Sequence, residues 1–207
     1  MTGFIETLRV QRWDDHRYYH HSLVNQSLHL LSAASFVCAY ILVFNDPATA
    51  ALIGWLVSMT SRQIGHFFFE PRDYDEVNQA TDDYKEAIKV GYNIRRKIVL
   101  MTVWALSPLL LVVNQTMWGL FTPPRSAMEF AKHTGYLWFA VGVGGLLFRT
   151  IQLCLTKNVQ IGLVWMTKII TDPFHDIKLY YRSPAKLLRG PPSRHGDESS
   201  SPTELGA

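Results

Sequence analysis

The sequence predicts an all-α protein, a polytopic membrane helical bundle with about four transmembrane helices and additional interfacial helices. Two observations carry this prediction. Long apolar blocks recur along the 207 residues, and the segments that join them differ sharply in positive charge. A helix needs roughly 17–25 predominantly apolar residues to cross a bilayer. The blocks that approach or meet this length are 28–44, 48–69, 98–121 and 135–155.

Each block has a recognisable boundary. The turn Asn45-Asp46-Pro47 separates the first two, a charged loop over 71–97 follows the second, and a polar segment over 123–134 precedes the fourth. The mean hydropathy of +0.03 is typical of a soluble protein, because averaging hides the blocks. A buried helical bundle in water is the alternative, and it is disfavoured because apolar helices of this length rarely fit so small a soluble core.

The region after the fourth block predicts interfacial helices and a tail. Residues 159–170 are amphipathic, which is typical of a helix that lies along the membrane surface. Asp172 is then expected to be the N-cap of a further helix, with Pro173 as its first residue. Residues 190–207 are rich in Pro, Ser and Gly and predict disorder. We therefore divide the chain into a membrane-embedded helical domain, 1–189, and a disordered tail, 190–207.

The distribution of Lys and Arg predicts the orientation. If the first two blocks cross the membrane and return, the start of the first and the end of the second lie on one face. That face also carries the basic N-terminal segment, the basic loop and the basic C-terminal region, whereas the opposite face carries only Arg125 and Lys132. The positive-inside rule then places the first face in the cytosol, in the endoplasmic reticulum or in a bacterial inner membrane. The net charge of +3 is small; membrane lipids are expected partners and nucleic acid is not.

Metal-ligating residue types stand where these first two blocks meet water. The start of one block and the end of the next supply His20, His21, His29, His66 and Glu70. Asn25 lies midway between His21 and His29, so the three share one stripe of a helix. His20 lies about 100° away from His21, but it can still turn inward if the helix begins at Ser22, a good N-cap.

Imidazoles and a carboxylate that converge at a membrane surface suggest a transition-metal site that acts on a lipid. The set fits a non-haem Fe(II) centre, although zinc, manganese and copper stay open because imidazole suits them as well. Asn25 and Glu70 are candidate catalytic residues, and Asn25 suits the role of fixing a ligand imidazole. His175 is a further candidate ligand, because the topology returns it to the same face. Each histidine taken alone is more typical of an interfacial polar residue, and it is the convergence of several that favours a metal site.

Two arginines are candidates for binding a substrate. Arg149 interrupts the fourth block, where a charge is costly unless it is paired or lies beside a watery cavity. It could bind a substrate carboxylate, or it could pair with a buried acid or a backbone carbonyl. Arg62 stands four residues before His66 and is the second candidate.

Two ordered motifs resemble those of the membrane family typified by the yeast 2-hydroxy fatty acid dioxygenase. The first is Tyr19-His20 followed by Asn25 and His29, and the second is Gly65-His66 followed by Glu70; the resemblance covers about residues 13–70. It implies an Fe(II)-dependent enzyme of fatty acid α-oxidation, which uses O2 to convert a 2-hydroxy fatty acid to the acid one carbon shorter. It also implies that His20, His29 and His66 bind the iron, with Glu70 as a ligand or an orienting group. The family has Gln where Arg62 stands, and a Pro-Ala soon after the Glu where the charged loop begins here.

Two other functions remain open. A hydroxylase or desaturase would be another metal-dependent lipid enzyme, but it usually has tight HxxHH boxes for two metals, and only His20 and His21 are adjacent here. The other is a non-enzymatic membrane scaffold, in which the histidines are structural and the charged loop and tail bind partners. The sequence leaves the oligomeric state and the acyl chain length open.

Overall fold

The computed structural model describes residues 3–70, 72–88 and 94–189, and this part of the chain is all-helical, which confirms the predicted class. The predicted tail, 190–207, lies outside the described residues, as does part of the basic loop, 89–93. The helices are α1 Phe4–Tyr19, α2 Leu23–Leu42, α3 Pro47–Ile53, a π-helical segment Gly54–Met59, α4 Thr60–Phe68, α5 Asp82–Ile88, α6 Ile94–Leu106, α7 Pro108–Val113, α8 Ala127–Thr156, α9 Val159–Tyr180 and α10 Ser183–Arg189.

Side-chain caps start the helices that build the site. Ser22 Oγ accepts a hydrogen bond from Asn25 N at 3.0 Å and begins α2. Asp46 accepts one from Thr49 N at 3.1 Å, with Pro47 as the first residue of α3. Each cap satisfies an N–H that has no partner within its own helix. The breaks before these caps are therefore encoded locally.

α2 and the continuous helical run Pro47–Phe68 pack as an antiparallel hairpin, as the sequence predicts. Close approach at the open end of the hairpin depends on Gly65. A Cβ added at this residue would lie 2.2 Å from Asn25 Oδ1 and 3.4 Å from His29 Cδ2. The two helices thus meet at their histidine-bearing ends with no room for a larger residue.

Within the described part of the chain, two helical stretches are long and apolar enough to cross a membrane: Arg95–Val113 and Ala127–Thr156. Few of their residues are buried inside the protein, so they present apolar surface outward. The expected four-span bundle is therefore confirmed only as an α-helical fold with two candidate spans. The polar residues that face the interior lower the hydropathy of the other two blocks: α2 buries Asn25, His29 and Ser32, and α4 buries Ser61 and Gln63.

The predicted helix start at Asp172-Pro173 is wrong, because α9 runs without a break from Val159 to Tyr180 and contains Pro173. A proline inside a helix removes one backbone hydrogen bond and loosens the preceding turn. In that turn, the Tyr40 hydroxyl of α2 donates to the Ile170 carbonyl at 3.1 Å. The interhelical bond helps to hold the loosened turn in place, and α9 continues past it to the histidine end of the hairpin.

Candidate metal centre

Three imidazoles converge at the open end of the hairpin. His20, His29 and His66 each offer a ligand atom, and these atoms all lie within 4.8 Å of one another. The ring centroids are separated by 4.0 Å for His20–His29, 4.8 Å for His29–His66 and 5.7 Å for His20–His66. His20 and His29 are buried, and His66 is half-buried. We call these three residues the histidine triad.

The position of each histidine in its helix, or at a helix break, explains why the three side chains meet. α1 ends at Tyr19 and α2 is capped by Ser22, so the short break between them turns His20 inward. His29 lies two turns into α2, and His66 lies in the last turn of α4. The triad therefore combines one residue from a helix break with one from each helix of the hairpin.

The Nδ1 atoms of the triad point towards other side chains. His20 Nδ1 lies 2.8 Å from the Tyr180 hydroxyl, and His29 Nδ1 lies 3.7 Å from Asp176 Oδ2. His66 Nδ1 is hydrogen-bonded to the Glu70 carboxylate. Since an ionised carboxylate only accepts, this bond places the proton of His66 on Nδ1 and leaves the lone pair on Nε2. Metal-binding histidines typically have such partners on the ring nitrogen that does not bind the metal.

Within the triad, His20 Nε2 and both ring nitrogens of His29 are buried without a hydrogen-bond partner. Buried polar atoms are nearly always paired, so an orphaned one requires an explanation. A transition metal explains the two Nε2 atoms, because neutral imidazoles are ligands for such ions. The residues present therefore fit a metal held by His20, His29 and His66, and imidazole alone does not choose among iron, zinc, manganese and copper.

The electrostatic environment favours a neutral imidazole at His20 and an ionised carboxylate at Asp176. Burial lowers the pKa of His20 well below its usual value of 6.5, and His29 and His16 nearby lower it further. A neutral imidazole is the form that binds a metal. Burial opposes the ionisation of Asp176, but the Arg62 guanidinium and His29 outweigh it and hold the pKa of Asp176 at about 2.

Glu70 and Asn25 lie beside the triad. Glu70 bonds to the far side of the His66 ring, which favours an orienting role over ligation. Asn25 is fully buried one turn before His29, and its Oδ1 lies against the backbone at Gly65. Its position therefore couples the packing of α2 and α4 to the placement of His29.

Three predicted site residues lie outside the triad. His21 is exposed, because the helix break that turns His20 inward turns its neighbour outward. His175 is half-buried, with its ring centroid 5.1 Å from that of His16, because it is rotated about 100° from Asp176 on α9. Arg149 is buried in α8 and donates to Gln152 Oε1 at 2.8 Å, so it is paired within its own helix.

The sequence reasoning missed three residues beside the triad: His16, Asp176 and Tyr180. His16 Nδ1 lies 3.3 Å from His20 Nδ1, and it is also hydrogen-bonded to the Tyr180 hydroxyl. Asp176 and Tyr180 lie four residues apart, so they share one face of α9. Asp172 extends this stripe by one turn. The four-residue spacing is a signal in the sequence, but it does not say which face of α9 packs against the triad.

A cavity of about 460 Å³ opens from the triad, which is within the range of small-molecule sites. His20, His66 and Arg62 are part of its lining, and mostly apolar residues of α2, the run Pro47–Phe68, α6, α8 and α9 form much of the remainder. Arg62 forms an ion pair with Asp176, and Lys168 Nζ lies 2.6 Å from Asp172 Oδ2. A largely apolar cavity thus adjoins the triad beside two paired cations.

Together, these features define an α-helical protein with two candidate membrane spans, a histidine triad suited to a metal and an adjoining apolar cavity. No family model, curated protein or solved structure matches the chain. The family resemblance of residues 13–70 therefore stays a prediction.

Proposed function

We propose that the protein is a membrane-bound, Fe(II)-dependent dioxygenase that converts 2-hydroxy fatty acids to fatty acids one carbon shorter. The observation that carries the proposal is the triad of converging imidazoles beside a largely apolar cavity. The motifs that resemble the 2-hydroxy fatty acid dioxygenases contain all three of these histidines. When bound, iron supplies the redox chemistry that a reaction with O2 requires.

The reaction balances without a separate reductant. A 2-hydroxy acid and one O2 have the same atoms as the shortened acid, CO2 and water, so both O2 and the substrate are consumed in one turnover. A single metal centre suits this stoichiometry. Among the described residues, His20, His29 and His66 are the one group that could hold a metal, which does not favour a hydroxylase or desaturase with two metals.

The chain's own residues have distinct roles in this proposal. Asp176 and Glu70 hold the imidazoles of His29 and His66 in orientation. Arg62 lines the cavity beside the triad and offers a guanidinium to the substrate carboxylate, while another edge of the same group stays on Asp176. The apolar cavity takes the acyl chain and excludes water from it.

The membrane arrangement is part of the same proposal. We infer that α2 and the run Pro47–Phe68 cross the bilayer together with Arg95–Val113 and Ala127–Thr156, which gives four spans. The triad then lies at the cytosolic surface, where the basic segments gather. The acyl chain can enter from the lipid while its polar head reaches the triad. The membrane is that of the endoplasmic reticulum or the bacterial inner membrane.

Anaerobic purification and metal analysis test the proposal directly. We expect about one iron per chain in the wild type, loss of iron in His66→Ala, and retention of iron in His21→Ala, a matched control one residue from the triad. The wild type and the control should consume O2 with 2-hydroxyhexadecanoic acid and release pentadecanoic acid. Wild-type turnover by His66→Ala would refute the proposal, and so would a wild type that binds no metal.

A further inference from the structure

A buried amide oxygen that has no hydrogen-bond partner among the described residues lines the cavity beside the triad. It is the Oε1 atom of Gln63, a side chain that is only 8% exposed. Gln63 lies in α4, three residues before His66, and both residues line the cavity. Residues three apart on a helix share a face, with about 5–6 Å between their Cβ atoms. The unused acceptor therefore lies next to one histidine of the triad.

Other polar side chains in the cavity lining already have partners. The Tyr40 hydroxyl donates to a backbone carbonyl of α9, and Arg62 and Lys168 are paired with carboxylates of α9. A buried polar atom without a partner is costly, and proteins contain few of them. Gln63 therefore differs from these neighbours in having hydrogen-bonding capacity that a ligand can use.

Arg62 and Gln63 flank His66 on α4. At 100° per residue, Arg62 lies about 40° to one side of His66 and Gln63 about 60° to the other, and both lie about one turn before it. The guanidinium, the amide and the imidazole are thus three corners of one patch of the cavity lining. A ligand whose carboxylate contacts Arg62 brings its next carbon atom towards Gln63 and the triad.

We propose that Gln63 binds the hydroxyl group of a 2-hydroxy acid and makes the site selective for hydroxylated over unmodified fatty acids. The hydroxyl donates to Oε1 and so satisfies the buried acceptor. An unmodified fatty acid leaves this acceptor unpaired, and a site built to bond a hydroxyl rejects an analogue that lacks it. This inference rests on the proposed function for the class of ligand, but it concerns recognition and not the reaction.

Gln11 of α1 supplies a matched control. Its amide also lines the cavity and is also buried without a partner in the described part of the chain. The next residue, Arg12, has its Nε atom 3.3 Å from Asp172 Oδ1. Asp172 lies one turn of α9, about 5 Å, before Asp176, the carboxylate that pairs with Arg62. We therefore expect Gln11 not to contact the hydroxyl of a ligand whose carboxylate is held by Arg62.

The measurement compares the affinities of 2-hydroxyhexadecanoic acid and hexadecanoic acid. Each acid displaces the fluorescent fatty acid cis-parinaric acid from the metal-loaded full chain in detergent, without O2 so that nothing turns over. Gln63→Met keeps the length of the side chain but removes the amide. The ratio of the two affinities should fall about tenfold in this variant, because the hydroxyl loses its acceptor. Gln11→Met should keep the wild-type ratio, and partition of the acids into detergent cancels when variants are compared.

Thermal unfolding tests the premise that the amide has no partner within the protein. Without ligand, Gln63→Met should not have a lower melting temperature than the wild type, because it removes a buried group that makes no hydrogen bond to the described chain. A clear loss of stability would show that the amide has a structural partner, and it would overturn the inference.

The binding results have distinct meanings. Equal weakening of both acids by Gln63→Met would assign the amide to the carboxylate and overturn the inference, as would equal ratios in the Gln63→Met and Gln11→Met variants. Binding of 3-hydroxyhexadecanoic acid, whose hydroxyl lies one carbon farther away, should gain nothing from Gln63. Selective binding without turnover would contradict the dioxygenase alone. Turnover by the wild type with an unchanged ratio in Gln63→Met would contradict this inference alone, and a wild type that binds neither acid would contradict both.

Discussion

Replacing Asp176 with Asn should weaken metal binding without changing any residue of the triad. Asp176 is buried, lies 3.7 Å from His29 Nδ1 and forms an ion pair with Arg62. The amide retains the shape of the side chain but removes the charge that orients and polarises His29. Loss of such a partner typically lowers metal affinity 10- to 100-fold, which is about 1.4–2.7 kcal/mol. We expect an effect of this size.

The assay is competition for the metal with a chelator of known affinity, under anaerobic conditions. Asp172→Asn is the matched control, because Asp172 lies one turn earlier on α9, is buried and pairs with Lys168 and Arg12 but not with a histidine. Both variants should lose about 1–3 kcal/mol of stability from their ion pairs. Only Asp176→Asn should lose metal affinity, and equal affinities in the two variants would refute the reasoning.

Two further predictions concern the histidine end of the hairpin. Burial keeps the pKa of His20 below 6.5 in the folded protein, so as the pH falls the unfolded chain takes up this proton first. The melting temperature of the metal-free wild type should therefore fall as the pH drops below about 6.5. The fall should be smaller in His20→Gln. An identical pH dependence in both would contradict this account. Gly65→Ala places a methyl group 2.2 Å from Asn25 Oδ1, so it should cost about 1–3 kcal/mol of stability and weaken metal binding. Gly144→Ala is the control, because its added methyl group meets no atom within 4 Å, and it should change neither property. Chemical denaturation measures the stability, and metal titration measures the binding.

The fold class and the triad could be predicted from the sequence because both depend on short-range signals. Apolar blocks of membrane-spanning length predict helices, and the Asn45-Asp46-Pro47 turn predicts that two of them pack as a hairpin. That hairpin brings His29 and His66 to one end whatever the details of packing. His20 was less certain, because the helical stripe contains His21 and the residues alone leave His20 and His21 open; the structure shows that the helix break at Ser22 turns His20 inward and leaves His21 exposed.

The support around the triad could not be predicted, because it comes from α9, more than a hundred residues away in sequence. Whether Asp176 or His175 faces the triad depends on the rotation of one helix against another. That rotation is set by contacts such as the Tyr40–Ile170 hydrogen bond, which no local pattern encodes. Arg149 shows the same limit: its hydrogen bond to Gln152 within α8 could not be chosen from the sequence over the other partners open to it.

The scaffold alternative requires the triad to be structural, and the energetics disfavour that role. A histidine that stabilises a core has its ring nitrogens hydrogen-bonded, since a buried nitrogen left without a partner costs about 1–3 kcal/mol. His20 and His29 leave both Nε2 atoms in that state, within a group of three imidazoles that share one small space. Burial that destabilises the metal-free chain is understandable if the same nitrogens recover that energy by ligation. Chelation should therefore lower the melting temperature of the loaded protein, whereas a structural triad would be indifferent to the chelator.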